Sequence, residues 1–144
     1  LFGVERHPRG AIRFAARRLP GEGPSSLEFP FRGRTWLVTA REEGLYAGVA
    51  GGIEASLFRQ DGVLEFDLGV DALKIRAWAR EAGPARLVVP LEPVARALGR
   101  ARPNQLRIRW NGKDAAGCVH GAQLVIPIPD ATQIAEVELM PTGR

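Results

Sequence analysis

The sequence predicts an α+β fold, mostly antiparallel strands with two or three short helices packed on one side. Three observations predict it. Short apolar runs of period two recur between turn dipeptides. One run of helical period follows a strand-like run and stops at Pro103. No stretch is low-complexity, and hydrophobic residues make up 45% of 144, enough for one core.

The strands come first. Thr35–Ala40 and Leu45–Ala50 flank Arg41-Glu42-Glu43-Gly44, a four-residue loop ending in glycine, and read as a hairpin. Ile53–Gln60 and Val63–Leu68 flank Asp61-Gly62, a dipeptide favoured where both turn positions take positive φ. Leu106, Ile108 and Trp110 alternate with Arg107 and Arg109, and Asn111-Gly112 follows as a second hairpin signal. Leu124–Ile128 and Ile134–Met140 complete the set. Pro127 and Pro129 place the former at a sheet edge or end it early.

The helices are fewer. In Glu92–Ala101, Pro93 sits in the first turn and Val94, Leu98 and Ala101 form one stripe. Val70–Glu81 carries two periods. Val70, Leu73 and Ala77 suit a helix that Gly83-Pro84 ends, whereas Leu73, Ile75, Ala77 and Ala79 alternate with Lys74, Arg76 and Arg80 as in a strand. We expect the helix, since alanines favour it and the run exceeds a typical strand. Ala11–Leu19 carries the same two periods.

The expected organisation is a basic N-terminal arm over 1–26, a single α+β domain over 27–140 and a frayed tail over 141–144. The arm holds Arg6, Arg9, Arg13, Arg17 and Arg18, and Pro20-Gly21-Glu22-Gly23-Pro24 closes it. The chain begins at Leu1, as a processed or excised piece would, without a basic segment leading into an apolar one. No run reaches the length of a membrane span. Cys118 is the sole cysteine, which rules out an internal disulfide and fits a reducing cytoplasm.

Net charge is +4, and 18 of the 20 basic residues are arginines, the exceptions being Lys74 and Lys113. A GC-rich genome favours arginine codons. Arginine also grips phosphate, because its fork donates two parallel hydrogen bonds. If the three candidate helices form, each carries an arginine pair one turn apart: Arg13 with Arg17, Arg76 with Arg80, Arg96 with Arg100. Like charges on one helix face repel by a few tenths of a kcal/mol, and a polyanion alongside would relieve that repulsion.

Other chemistry finds little support. A nucleophilic thiol needs a base within reach and a group to orient that base. Cys118-Val119-His120 offers only two partners, between glycines that mark a turn. His7, His120 and Cys118 lack the paired spacings of a zinc site, and Asp67, Asp71 and Asp114 stand near turns, where Asp serves the backbone. Gly48-Val49-Ala50-Gly51-Gly52 lacks the ending of a phosphate loop. Trp36 and Trp110 read as core, and Trp78, between Arg76 and Arg80, as the exposed aromatic.

Arg86-Leu87-Val88-Val89-Pro90, running into Glu92-Pro93-Val94-Ala95-Arg96-Ala97-Leu98 and then Gln105–Trp110, resembles a strand–helix–strand step of the bacterial DNA sliding clamps. The upstream runs Trp36–Ala40, Leu45–Ala47 and Gly52–Leu57 are similar to that family's antiparallel strands. The resemblance implies a clamp-like arrangement, strands outside and basic helices inside, around duplex DNA.

The expected function is thus a non-catalytic DNA-associated module without a cofactor. It would hold the nucleic-acid backbone through Arg13, Arg17, Arg76, Arg80, Arg96 and Arg100 without reading sequence, as a homo-oligomer or larger assembly off the membrane. Two alternatives stand beside it: a structural subunit of a coat or scaffold, and a ligand-binding domain or enzyme with a pocket that sequence does not reveal.

Overall fold

The computed structural model describes residues 2–6, 11–16 and 25–142. In chain order the elements are strands β1 Phe2–Arg6, β2 Ala11–Ala16, β3 Ser25–Phe31, β4 Arg34–Arg41, β5 Gly44–Val49, β6 Glu54–Leu57, β7 Gly62–Leu68, β8 Leu73–Ala79 and β9 Ala85–Pro90. Helix α1 Leu91–Ala97 comes next. Then follow β10 Leu106–Trp110, β11 Lys113–Asp114, β12 Val119–His120, β13 Gln123–Ile128 and β14 Ala135–Pro141.

The strands form two antiparallel sheets. The first runs β1-β2-β7-β8-β14-β10-β11 and the second β12-β13-β9-β6-β5-β4-β3. Side chains alternate across the strands, and each sheet turns an apolar face toward the other. In β8, Leu73, Ile75, Ala77 and Ala79 point to the core; in β9 and β13, Leu87, Val89, Leu124 and Ile126 do so from the opposite sheet. All belong to one continuous core, and the sheets pack as a sandwich. Aromatic rings join them: Phe14 of the first sheet lies 5.5 Å from Phe29 and 5.7 Å from Trp36 of the second, and Trp36 lies 5.4 Å from Phe66.

The antiparallel strands agree with the α+β expectation, but its set of helices does not. Among the described residues α1 is the one α-helix. It is shorter than expected because Gly99, at φ 76°, turns the chain left-handed just past Leu98. Val94 and Leu98 are buried and Arg96 is exposed, as the stripe predicted, but Ala101 is exposed beyond the helix end.

The expected helix over 70–81 is strand β8. Its period-two pattern outweighs alanine's helix propensity, because a strand buries all four apolar side chains on one face. Ala11–Ala16 is likewise a strand. Ile12 and Phe14 are fully buried and β2 pairs with β7, so this segment is part of the sandwich and not of a separate arm. At the other terminus Thr142 donates from its backbone N–H to Gln105 O at 2.8 Å, which ties the chain through residue 142.

The turns divide similarly. Asn111-Gly112 makes the predicted hairpin between β10 and β11, both residues at positive φ. Arg32-Gly33, at φ 52° and 73°, makes another between β3 and β4. The hairpin of β4 and β5 closes through Glu42-Glu43, with Arg41 paired to Gly44. Asp61-Gly62 is not a hairpin: β6 and β7 lie in different sheets. Asp61 instead accepts Arg59 Nε at 2.7 Å and the Glu81 N–H at 2.9 Å, holding a corner where the chain changes sheets. Pro127 sits on β13 beyond the reach of two-residue β12, as the edge rule requires.

Candidate functional site

Of the six arginines expected to face nucleic acid, Arg13 and Arg76 meet through a carboxylate, and Arg80, Arg96 and Arg100 each stand in other surroundings. Arg13 and Arg76 lie on the outer face of the first sheet, in cross-strand register with Glu65 between them. Arg13 Nε donates to Glu65 Oε2 at 2.8 Å, Arg76 Nη1 to Glu65 Oε1 at 2.6 Å, and Arg76 Nε to Glu136 Oε2 at 2.7 Å. The result is a charge ladder of alternating sign across β2, β7, β8 and β14. Burial by itself would raise the Glu65 carboxyl, but hydrogen bonds and charge from Arg13 and Arg76 outweigh it and hold the group below the ordinary carboxylate range. Trp78 packs beside this ladder, with the Arg13 guanidinium 5.1 Å from its ring centroid. Trp36 is in the core as expected, whereas Trp110 and Trp78 are both half-buried, the one less enclosed and the other less exposed than the sequence suggested.

Arg80 is exposed beyond the end of β8, Arg96 lies 3.8 Å from Glu92 one turn back, and Arg100 donates to Thr142 O at 3.2 Å. Arg17 lies outside the described residues. The charge concentrates elsewhere than expected. Residues 91–113 hold six basic side chains (Arg96, Arg100, Arg102, Arg107, Arg109 and Lys113) and one acid, Glu92. That is +5 in a chain of net charge +4, leaving −1 for all other residues.

The second sheet carries a different surface. A groove of about 310 Å³ crosses the outer face of β4, β5 and β6. Gly48 lies on its floor, in register with Leu37 on one side and Glu54 on the other. A Cβ at Gly48 would collide with Ile53 O and stand 2.6 Å from Glu54 Cβ, so the close approach of β5 to β6 requires glycine there. One row along the sheet, Thr39, Tyr46 and Ser56 stand in register. Leu37 is 40% exposed, as are Leu27, Val70 and Ile134 to the same degree or more among the described residues.

Stacked rings and cations border the groove. The Arg41 guanidinium lies 5.3 Å from the Tyr46 ring centroid, Phe58 meets Tyr46 edge-on at 5.9 Å, and Arg86 covers Phe58 at 4.4 Å. The Tyr46 hydroxyl donates to Glu43 Oε1 at 3.0 Å. Burial and that hydrogen bond raise the phenol above its ordinary value, so the ring stays neutral at physiological pH.

Among the described residues, no three His, Cys, Asp or Glu side chains form a metal-sized cluster, and no helix is long and apolar enough to cross a membrane. Cys118 is half-buried against the core and His120 is exposed. No family model, curated protein or solved structure matches the chain.

Sequence reasoning passed over the groove. The signal that could have found it is the outward alternation of Tyr46 and Gly48 in Leu45–Ala50. The neighbouring glycines read only as a turn.

Proposed function

We propose that this protein is a non-catalytic β-sandwich module that binds a small ligand in the groove over β4, β5 and β6. The observation that carries the reading is the groove itself: a hollow on the sheet face, floored by glycine, with exposed Leu37 and half-buried Tyr46 beside hydroxyl and carboxylate side chains. Its volume falls at the small end of ligand sites, which combine apolar lining with a few polar groups.

Binding without chemistry is favoured by spacing. Glu43, in the β4–β5 turn, is engaged by the Tyr46 hydroxyl, and the strand carboxylates on this face, Glu28 and Glu54, are three strand steps apart in register. That separates their backbones by about 14 Å. Paired-carboxylate hydrolysis works at roughly 5–9.5 Å. Backbone amide NMR of the labelled protein against a chemically diverse fragment set tests the reading. Shifts clustered on Leu37, Tyr46, Gly48 and Ser56 support it, and shifts scattered over both sheets or absent overturn it.

A second reading rests on the charge of residues 91–113. This segment, from α1 through the edge strands β10 and β11, would hold a nucleic-acid backbone without sequence preference. The ladder favours this segment over the arginine pairs read from sequence, since Arg13 and Arg76 are already neutralised by carboxylates.

A further inference from the structure

We infer that the ligand class of the groove is a neutral saccharide, an inference that rests on the groove being a binding site. Four features of the lining lead to it. Leu37 and the Tyr46 ring offer apolar surface against which the C–H face of a sugar ring packs. Ser56 Oγ and the Glu54 carboxylate, two residues apart on β6, are engaged by no other side chain among the described residues. A hydroxyl both donates and accepts while a carboxylate accepts, which matches the mixed donor and acceptor character of sugar hydroxyls. Thr39 Oγ1, across Tyr46 from Ser56, makes one hydrogen bond, to Ser26 Oγ at 3.0 Å, and keeps capacity for another.

Charge narrows the class. Glu54 is the one charged side chain that lines the groove, while the Arg41 and Arg86 guanidiniums at its border are stacked on Tyr46 and Phe58, so a phosphate or carboxylate seated beside Glu54 meets repulsion there. Length narrows it further. Thr39 and Ser56 stand two strand steps apart, about 10 Å, the scale of one or two sugar rings.

The test is amide NMR titration of the protein with a panel of neutral disaccharides, the same sugars as phosphate esters, and a diverse fragment set. The expected result is saturable shifts at Tyr46, Glu54 and Ser56 for at least one neutral sugar, with Kd on the order of 0.1–1 mM. Ser56→Ala should weaken that binding by about tenfold, since it removes a hydrogen bond, and Glu54→Gln should weaken it by less, since the amide oxygen still accepts but without the charge. Glu54→Gln should also narrow the gap between the sugar and its phosphate ester. Lys74→Gln, on the opposite sheet, should bind as the unmodified protein does. If fragments move these amides and no sugar does, the saccharide inference falls while the groove remains a site. If neither moves them, both fall.

Discussion

Glu65 and Arg76 face each other across β7 and β8 with 2.6 Å between Oε1 and Nη1, and that pair anchors the outer face of the first sheet. Glu65 is the buried member, its side chain 7% exposed, while Arg76 and Arg13 keep 27% and 34% of theirs in solvent. Removing Glu65 therefore leaves two guanidiniums that water can still reach. Glu65→Ala should destabilise the fold by about 2–3 kcal/mol, below the value for a fully buried pair. Urea unfolding at pH 7 measures it.

The same group sets an acid limit. Its folded-state pKa lies below the unfolded value, so its contribution is complete above about pH 4.3 and is lost as pH falls through the folded value. Unfolding free energy of the native protein should decline over that acid window, and Glu65→Gln should decline less. Equal slopes for the two proteins would remove Glu65 from the account.

Arg59 and Gly83 lock the β8–β9 connection. Arg59 Nη2 donates to the carbonyls of Glu81 and Ala82, both at 2.9 Å, and Nη1 to that of Pro84 at 3.2 Å. Gly83 holds φ 130°, and a Cβ there would lie 2.6 Å from Arg59 Nη1. Gly83→Ala should cost about 1–3 kcal/mol through backbone strain and displacement of the guanidinium. Hydrogen exchange should show it locally, at the Ala131 N–H that donates to Gly83 O.

The nucleic-acid reading has its own discriminating pair. Replacing Arg96, Arg100, Arg102 and Arg107 by Gln should lower affinity for unrelated duplexes alike. It should also flatten the log–log salt dependence by roughly one unit for each phosphate no longer neutralised. Arg13→Gln with Arg76→Gln should leave that binding unchanged while lowering stability. Anisotropy titrations at several salt concentrations decide it. No binding by the unmodified protein at low salt ends the reading.

Cys118→Ser and His120→Ala should leave ligand binding in the groove intact. Both residues lie near the β12–β13 edge, at the far side of the second sheet from β4 and β5. Loss of groove binding with folding preserved would give that pair a role the geometry does not.

Much of the architecture was legible from period and turn chemistry. Leu106–Trp110 alternates as it folds, and Asn111-Gly112 turns where two positive φ values are needed. The errors share a cause. Local signals at Val70–Glu81 and Asp61-Gly62 were sound, but burial across two sheets decided between them: β8 needs four inward side chains, and the corner needs Asp61 as an acceptor. The arginines failed for a related reason. Glu65 lies 52 residues from Arg13 and 11 from Arg76, so sequence spacing concealed that three strands would align them. The groove depends on cross-strand register among β4, β5 and β6, of which only the glycine was visible.

The corner at Asp61-Gly62 has a consequence for how the chain is made. Because β7 crosses to the other sheet and pairs with β2, Ala11 waits for Asp67, 56 residues later. At synthesis rates of roughly 5–20 residues per second, that delay is on the order of 3–11 s. Throughout it β2 lacks its β7 partner, and Ile12 and Phe14, fully buried in the finished protein, have only β1 beside them and the Phe29 and Trp36 rings of the second sheet to pack on. Early folding therefore falls to the β3–β4–β5–β6 meander, whose pairings are sequential, and the first sheet closes around it late.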